Sequence, residues 1–269
     1  MTFLNVLLDK ISNILLDDKS SLNIEESMKI GSISRSKLEK KKIKRVLFCL
    51  DLTPQVVFHA IDSDIDIIFV HEAFNIWKNS KIQDELISLT KLLIEKNIYL
   101  FFFQKNSLID NKLNEFLVSI LNGEVDSTFN IQLDDQMVPI GRIARLKFEA
   151  MTTNGFLGYV LEKLHLNRVQ YYLDENTKEI KEFLLLGGLS VNYDIIKDAK
   201  KRNINTILGE GLNHEILHYC QFYEMNFIDI TRYGLIKAFT HLINILKMDL
   251  IDVKFSVFEK KFLYSIYEK

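Results

Sequence analysis

Short apolar runs alternate with longer amphipathic segments along most of the chain, and this alternation constrains the fold more than any other feature. RVLFCLDL (45–52), DIDIIFVH (64–71) and IYLFFF (98–103) are typical of buried strands. The segments between and after them, such as TPQVVFHAIDS and LIDNKLNEFLVSIL (108–121), have helical spacing. Strand and helix in strict turn predict an α/β fold with parallel sheets and helical crossovers.

The polar segment 122–136 interrupts this pattern and predicts a boundary between two α/β lobes. After it, the strands GRIARLKFE, RVQYYLDE, IKEFLLLGG, NTILGE and NFIDIT again alternate with helices. We therefore predict a first lobe over 1–122 and a second over 123–269. The C-terminal segment is expected to pack back on the first lobe.

The composition excludes several classes of function. Of 269 residues, 48% are hydrophobic, and 34 basic residues nearly balance 36 acidic ones, so bulk charge favours neither nucleic acid nor a membrane surface. The basic run KLEKKKIKR (37–45) has no interleaved aromatic residues and is typical of a solvated surface. No apolar run reaches the ~20 residues of a membrane span. The two cysteines, Cys49 and Cys220, lie far apart in apolar surroundings, which suits a cytoplasmic protein.

HEILH (214–218) matches the HExxH pattern of zinc proteases, in which two histidines one helical turn apart hold the metal and the glutamate acts as base. No HxxGxxH extension follows it, and its helix belongs to an α/β repeat. A protease is therefore not the favoured interpretation.

Two further stretches have residues suited to a ligand. His71 and Glu72 follow a predicted parallel strand, at the edge where α/β proteins bind ligands, although such a pair is also typical of a solvated loop. Gly187 and Gly188 lie in a predicted turn between a strand and a helix, where backbone N–H groups are available to an anion. The glycines could equally do no more than permit the turn.

Several of these stretches, taken in order over about 24–255, resemble the NIF-three-like family of type 2 GTP cyclohydrolase I homologues. LDLTPQVVFHAI resembles the family's LDxTpxVv, DIDIIFVHEAF its aDliisHHPlif, and IYLFFFQKNSLIDNKLNEFL its vysaHTnlD followed by glxNdxL. VPIGRIARL resembles GxGRiGxL, and NFIDITRY resembles vidagHY. The resemblance implies two intertwined three-layer α/β lobes and a toroidal homohexamer.

The resemblance also implies a site for two divalent metals, zinc, iron or manganese, held by the histidines of HHP, the aspartate of HTnlD, and the histidine and glutamate of HYxtE. This chain keeps the first histidine as His71, whereas Glu72 replaces the second. Ser107 stands at the aspartate position, and Arg232 and Ile236 stand at the last two. The histidine of HTnlD corresponds to Phe103.

Two nearby cations need bridging carboxylates, and both family carboxylates are replaced by groups that cannot bridge. The fixed charge of Arg232 would also repel metal. A mononuclear site of His71, Glu72 and Asp110 is the remaining metal-binding alternative. His214 corresponds to the last histidine of the family's TGexxhH and is a candidate pocket residue, so Glu215 and His218 look incidental.

Three hypotheses follow. The leading one is a divergent family member without the dinuclear centre, with no catalytic residues, acting as an oligomeric structural or binding protein. The second is a metal-dependent hydrolase of a nucleotide or other small molecule, with a rebuilt site around His71, Glu72, Asp110 and His214. The third is a pocket in which Arg232 and the Gly187–Gly188 turn hold a small anionic ligand.

Overall fold

The structure, a computed structural model, describes residues 2–16, 27–31, 34–71, 84–103, 107–133 and 136–259. It forms two compact units, one made of Met1–Asn106 and Phe239–Lys269, the other of Ser107–Ala238. The chain thus leaves the first unit, builds the whole of the second, and returns. The mixed α/β class agrees with the prediction from the sequence. None of the helices in the described part of the chain is long and apolar enough to cross a membrane.

The first unit contains helices and strands from both ends of the chain. Its helices are α1 (Leu4–Leu15), α2 (Arg35–Leu38), α3 (Pro54–Asp62) and α4 (Asp84–Glu95). Its strands are β1 (Thr2–Phe3), β2 (Met28–Ile30), β3 (Lys42–Ile43), β4 (Arg45–Cys49), β5 (Ile67–Val70), β6 (Tyr99–Phe102) and β15 (Lys254–Val257).

The main sheet of this unit has the order β15-β4-β5-β6-β2. The first four strands are parallel, and β2 adds antiparallel at the edge beside β6. The C-terminal segment therefore supplies an edge strand to the first sheet, with Phe255 opposite Val46. Thr53 accepts a hydrogen bond from the N–H of Val56 and caps α3, which Pro54 begins, as the sequence suggests.

Side chains of the parallel strands alternate between the two faces of this sheet. Leu47 and Cys49 of β4 pack on one face with α3 and α4, in a cluster that includes Val57 and Leu93. The next positions along the strand point the other way, because successive side chains of a strand alternate. Phe48 is one of them and is fully buried, so both faces of the sheet are covered.

The second unit is built from the middle of the chain. Its helices are α5 (Ser107–Ile120), α6 (Thr153–Leu164), α7 (Tyr193–Lys201) and α8 (His214–Tyr223), and α9 (Gly234–Asp249) leads from it back into the first unit. Its strands are β7 (Gly123–Leu133), β8 (Gln136–Leu146), β9 (Met151–Thr152), β10 (Gln170–Tyr172), β11 (Glu179–Ile180), β12 (Glu182–Ser190), β13 (Thr206–Glu210) and β14 (Asn226–Asp229).

The sheet of this unit has the order β10-β14-β13-β12-β8-β7. Strands β12, β13 and β14 are parallel, whereas β7 and β8 form a long antiparallel hairpin. Helices α7 and α8 bury Ile195, Ile196 and Cys220 against one face of the sheet. Helix α5 packs on β7, β8 and β12.

The structure differs from the sequence-based expectation around residue 122. The polar segment 122–136, expected to be a boundary, contains strand β7, whose outer face is exposed along much of its length. Helix α5, which the prediction assigned to the first lobe, packs in the second unit. A hairpin with one solvated face has a polar sequence and so resembles a linker.

An ion-paired network fixes α5 to this hairpin. Arg142 of β8 donates from Nη2 to Glu115 Oε1 at 2.8 Å, and from Nη1 to Asn111 Oδ1 at 2.7 Å and to Thr128 Oγ1 at 3.1 Å. Lys112 donates to the other oxygen of Glu115 at 2.8 Å. Burial alone would raise the pKa of the Glu115 carboxyl, but the hydrogen bonds from Lys112 and Arg142 outweigh it and lower the pKa.

Replacing Glu115 by glutamine should lower the free energy of unfolding at neutral pH by about 1–3 kcal/mol, because Lys112 and Arg142 lose the negative charge and one of the two oxygens of their shared acceptor. Since the folded-state pKa is lowered, this stabilisation is present above the ordinary glutamate pKa of about 4.3 and is lost as the pH falls through the lower folded value. Urea unfolding across pH 3–7 measures both effects. Glu124→Gln, which alters the exposed pair with Arg145 at 3.8 Å, is the control and should cost at most ~1 kcal/mol. Equal losses in the two variants would contradict the prediction.

Candidate functional site

The carboxyl ends of the parallel strands in the first unit carry the residues that the sequence singles out. His71 directly follows β5 and is 5% exposed. Its N–H donates to the carbonyl of Cys49 at 2.9 Å, and the N–H of Phe103 donates to the carbonyl of Val70 at 2.9 Å. The ladder between strands therefore continues one residue past β5 and β6 and holds both residues at the sheet edge.

Five phenylalanines form a closed cluster behind this edge, which we call the phenylalanine cluster. Its members are Phe48, Phe69, Phe101, Phe103 and Phe239, each at most 2% exposed. The ring of Phe103 lies 5.5 Å from that of Phe69 and 6.2 Å from that of Phe239, in stacked arrangements. Phe48 lies 5.1 Å from Phe69 and 5.5 Å from Phe239. Phe101 meets Phe103 edge-on at 5.8 Å.

His71 borders this cluster. Its ring meets that of Phe239 edge-on, with centroids 6.2 Å apart. The position that resembles the histidine of HTnlD is held by Phe103, whose ring is packed among other rings. Glu72 lies outside the described residues, and Ser107 is the first residue of α5.

In the second unit, the loop after β14 carries two of the predicted site positions. Arg232 is partly exposed, although its Nε and Nη2 atoms are buried, and Ile236, in the first turn of α9, is 8% exposed. A guanidinium and a butyl group donate no electron pair to a metal. These two residues therefore supply no metal ligand at the positions that resemble the histidine and glutamate of HYxtE.

Asp229, which the sequence analysis did not single out, organises the same edge. Its Oδ2 accepts from the N–H groups of Gly211 and Leu212 at 3.0 and 2.9 Å, and its Oδ1 accepts from the N–H of Thr231 at 2.9 Å. Asp229 is 6% exposed. Its three hydrogen bonds join the loop after β13 to the loop after β14. All three bonds go to backbone N–H groups, so Asp229 serves as a structural clamp.

Thr231 adopts a left-handed backbone conformation, with φ of 52°. This conformation is costly for a β-branched residue. The family pattern vidagHY has glycine at the corresponding position. Glycine would fit this conformation better than threonine does.

The structure corrects the interpretation of Gly187 and Gly188. They lie inside strand β12, which continues to Ser190, and not in a turn that opens a helix. The Gly187 N–H donates to Asn114 Oδ1 of α5 at 2.8 Å, and a Cβ at Gly187 would lie 2.9 Å from that oxygen. Gly188 has φ of 81°, where the pairing register of β12 shifts. The Gly187 N–H is therefore committed to protein, and close helix packing accounts for this glycine.

The other pocket candidates lie on helices of the second unit. Asp110 is in the first turn of α5 and is partly buried. His214 begins α8 behind the capping residue Asn213 and is exposed. Its Nε2 lies 3.0 Å from that of His218. Across the described residues, no group of three or more histidine, cysteine, aspartate or glutamate side chains is arranged to hold a metal ion.

These donors do not fit the dinuclear centre that the family pattern implies. Arg232 and Ile236 supply no ligand at two of the family's ligand positions, and His71 borders packed aromatic rings. Bridging needs carboxylates. Asp229, the buried carboxylate found at the second sheet edge, is occupied by three N–H groups.

The fold is that of an α/β protein with two units, each containing parallel strands. In such proteins, ligands bind at the carboxyl ends of the parallel strands. The chain belongs to the Duf34/NIF3 (NGG1p interacting factor 3) family, whose model matches residues 28–261. A GTP cyclohydrolase 1 type 2 homolog of Clostridium perfringens is 26% identical over 231 residues, covering 84% of this chain and 86% of that protein.

Solved structures show the same fold. Reduced HcgD from Methanocaldococcus jannaschii superposes with a TM-score of 0.75 at 18% identity, covering 95% of this chain and 97% of that one. A Bacillus cereus protein related to NIF3 gives a TM-score of 0.70 at 13% identity, covering 98% and 99%. At this identity the likeness concerns the fold alone.

Replacing Phe103 by alanine should lower the free energy of unfolding by about 3–5 kcal/mol, because a fully packed ring leaves a cavity. Phe58→Ala is the control, since Phe58 is 53% exposed on α3 and its loss should cost under ~1 kcal/mol. Urea denaturation followed by fluorescence measures both. A cost for Phe103→Ala no larger than that for Phe58→Ala would mean that the cluster is not a packed core.

Replacing Thr231 by asparagine should raise the free energy of unfolding by about 0.5–1 kcal/mol, because asparagine tolerates φ above zero and keeps a side-chain acceptor. Thr231→Val keeps the branching but loses Oγ1, which accepts from the Tyr233 N–H at 3.2 Å, and should cost ~1 kcal/mol. Thermal unfolding compares the two variants. Opposite signs are expected, and a stabilising valine would contradict the account of this loop.

Proposed function

We propose that this member of the NIF3 family lacks the dinuclear metal centre, has no catalytic residues, and acts in the cytoplasm as an oligomeric structural or binding protein. The observation that carries this proposal is the position of Phe103 in a closed aromatic cluster at the carboxyl edge of the first sheet. A metal ion and its bound water need polar surroundings, which packed aromatic rings do not provide.

Charge supports the same proposal. Arg232 stands where the family pattern has a metal-binding histidine, and its guanidinium is positively charged. The Arg232 guanidinium would repel a divalent cation bound beside it. If the edge binds a small molecule, the guanidinium favours a carboxylate or phosphate group.

The name of the Clostridium relative refers to a cyclohydrolase, and this gives the competing proposal of a metal-dependent hydrolase acting on a nucleotide or other small molecule. Its residues would be His71, Glu72, Asp110 and His214. The retained His71 at the end of β5 favours it. The two proposals differ in whether metal content depends on His71.

Metal analysis of the purified chain by mass spectrometry tests the proposal. We expect wild type and His71→Ala to hold the same amount of zinc, iron and manganese, well below two equivalents per chain, because the ligand set is incomplete. Light scattering on the same samples should give six times the 31.5 kDa chain mass for both. The matched control is His165→Asn, which removes a surface histidine from a left-handed helix cap that asparagine tolerates.

Near two equivalents of metal in wild type, lost in His71→Ala and kept in His165→Asn, would overturn the metal-free proposal and favour the hydrolase. A monomeric mass would separately overturn the proposed hexamer.

A further inference from the structure

The HExxH stretch, which the proposed function does not use, forms a distinct feature on helix α8. Ile216 and Cys220 form the buried face of this helix, at 4% and 0% exposure. His214 and His218 lie one helical turn apart on the opposite face and are both exposed. Neither histidine is therefore needed for the core.

The two imidazole rings lie close together. Their rings are nearly perpendicular, with centroids 4.4 Å apart, and their Nε2 atoms are 3.0 Å apart. Two ligands that bind one metal at about 2.0–2.1 Å, roughly 90° apart, are themselves about 2.9 Å apart. The observed separation is that of two neighbouring ligands in a square-planar or octahedral site.

From this geometry we propose that His214 and His218 form a two-histidine chelate for a late first-row divalent cation. Imidazole suits these metals, and tetragonal geometry favours Cu²⁺ and Ni²⁺. The same distance also suits an N–H···N hydrogen bond between two neutral rings. In that hydrogen bond, one of the two rings carries its proton on Nε2. Metal binding requires this proton to move to Nδ1, which leaves the Nε2 lone pairs of both rings available to the cation.

Glu215 does not complete a protease site. Its Oε1 accepts a hydrogen bond from the Tyr219 hydroxyl at 3.3 Å, on the flank of the helix. The glutamate is thus directed to a side chain one turn ahead and does not join the two imidazoles. The chelate has two protein ligands, and solvent fills the remaining positions.

This site is separate from the residues that resemble the family's metal ligands, because neither His218 nor its pairing with His214 belongs to that pattern. It also needs no carboxylate. Two neutral ligands can hold one exposed dication, whose charge water and counter-ions screen, whereas two adjacent dications need bridging anions.

Calorimetric titration of the full chain with Ni²⁺ and with Cu²⁺ tests the chelate. Wild type should bind one ion per chain at this site. His214→Gln and His218→Gln should each weaken binding by about tenfold or more, because losing even a residue that hydrogen-bonds to a metal ligand lowers affinity by about tenfold. His165→Asn is the matched control and should bind as wild type does. Acidification should weaken binding, because protonated imidazole cannot coordinate.

Proton NMR spectra of the histidine imidazoles supply a second measurement, which does not depend on affinity alone. Added Ni²⁺ should broaden the signals of His214 and His218 together, and each single variant should lose this effect at the remaining histidine. Equal affinity in wild type and His218→Gln would overturn the proposal, as would broadening centred on other histidines. Since both residues are exposed, circular dichroism should show all variants folded.

Discussion

Aromatic packing at the carboxyl edge of the first sheet is the constraint on which the rest of that unit depends. Strand alternation sends Phe48, Phe69 and Phe101 to one face, and the backbone ladder carries Phe103 to the same cluster one residue past its strand. Fully burying such a side chain contributes about 1.5–3 kcal/mol, and aromatic pairs add ~0.5–1.5 kcal/mol. The packing that stabilises this unit thus reaches the strand end where His71 lies.

The second unit depends on polar contacts as well as on apolar packing. Asp229 holds two loops together by accepting from three backbone N–H groups, and Arg142 joins α5 to the hairpin through Glu115. Thr231 retains a loop shape that disfavours its own side chain.

The sequence predicted the features whose signal is local. The strands β4, β5 and β6 and the helix α3 agree with their apolar periods and cap residues. The α/β class and the family followed from the order of such segments. The i, i+4 spacing of His214 and His218 was also visible, although their mutual geometry was not.

Features that depend on distant partners could not be predicted in this way. The hydrogen bond from Gly187 to Asn114 joins residues 73 positions apart, and without it a Gly-Gly pair resembles a turn. Strand β7 is polar because one face of its hairpin meets solvent, so its composition resembles that of a linker. The role of Asp229 could not be predicted from the sequence, because its partners are backbone N–H groups, which do not depend on residue type.

Charge distinguishes the histidine pair on α8 from the dinuclear centre that the family resemblance implies. A dinuclear centre gathers four positive charges, which need bridging carboxylates and a site free of fixed cations, and Arg232 at a family ligand position violates the second condition. The exposed imidazole pair on α8 needs neither, because a single dication there keeps most of its water. The two histidines project from the face opposite Ile216 and Cys220, so a ligand bound there would not disturb the packing that fixes the helix to its sheet. The chelate proposed on α8 therefore does not depend on whether the family's dinuclear centre is present.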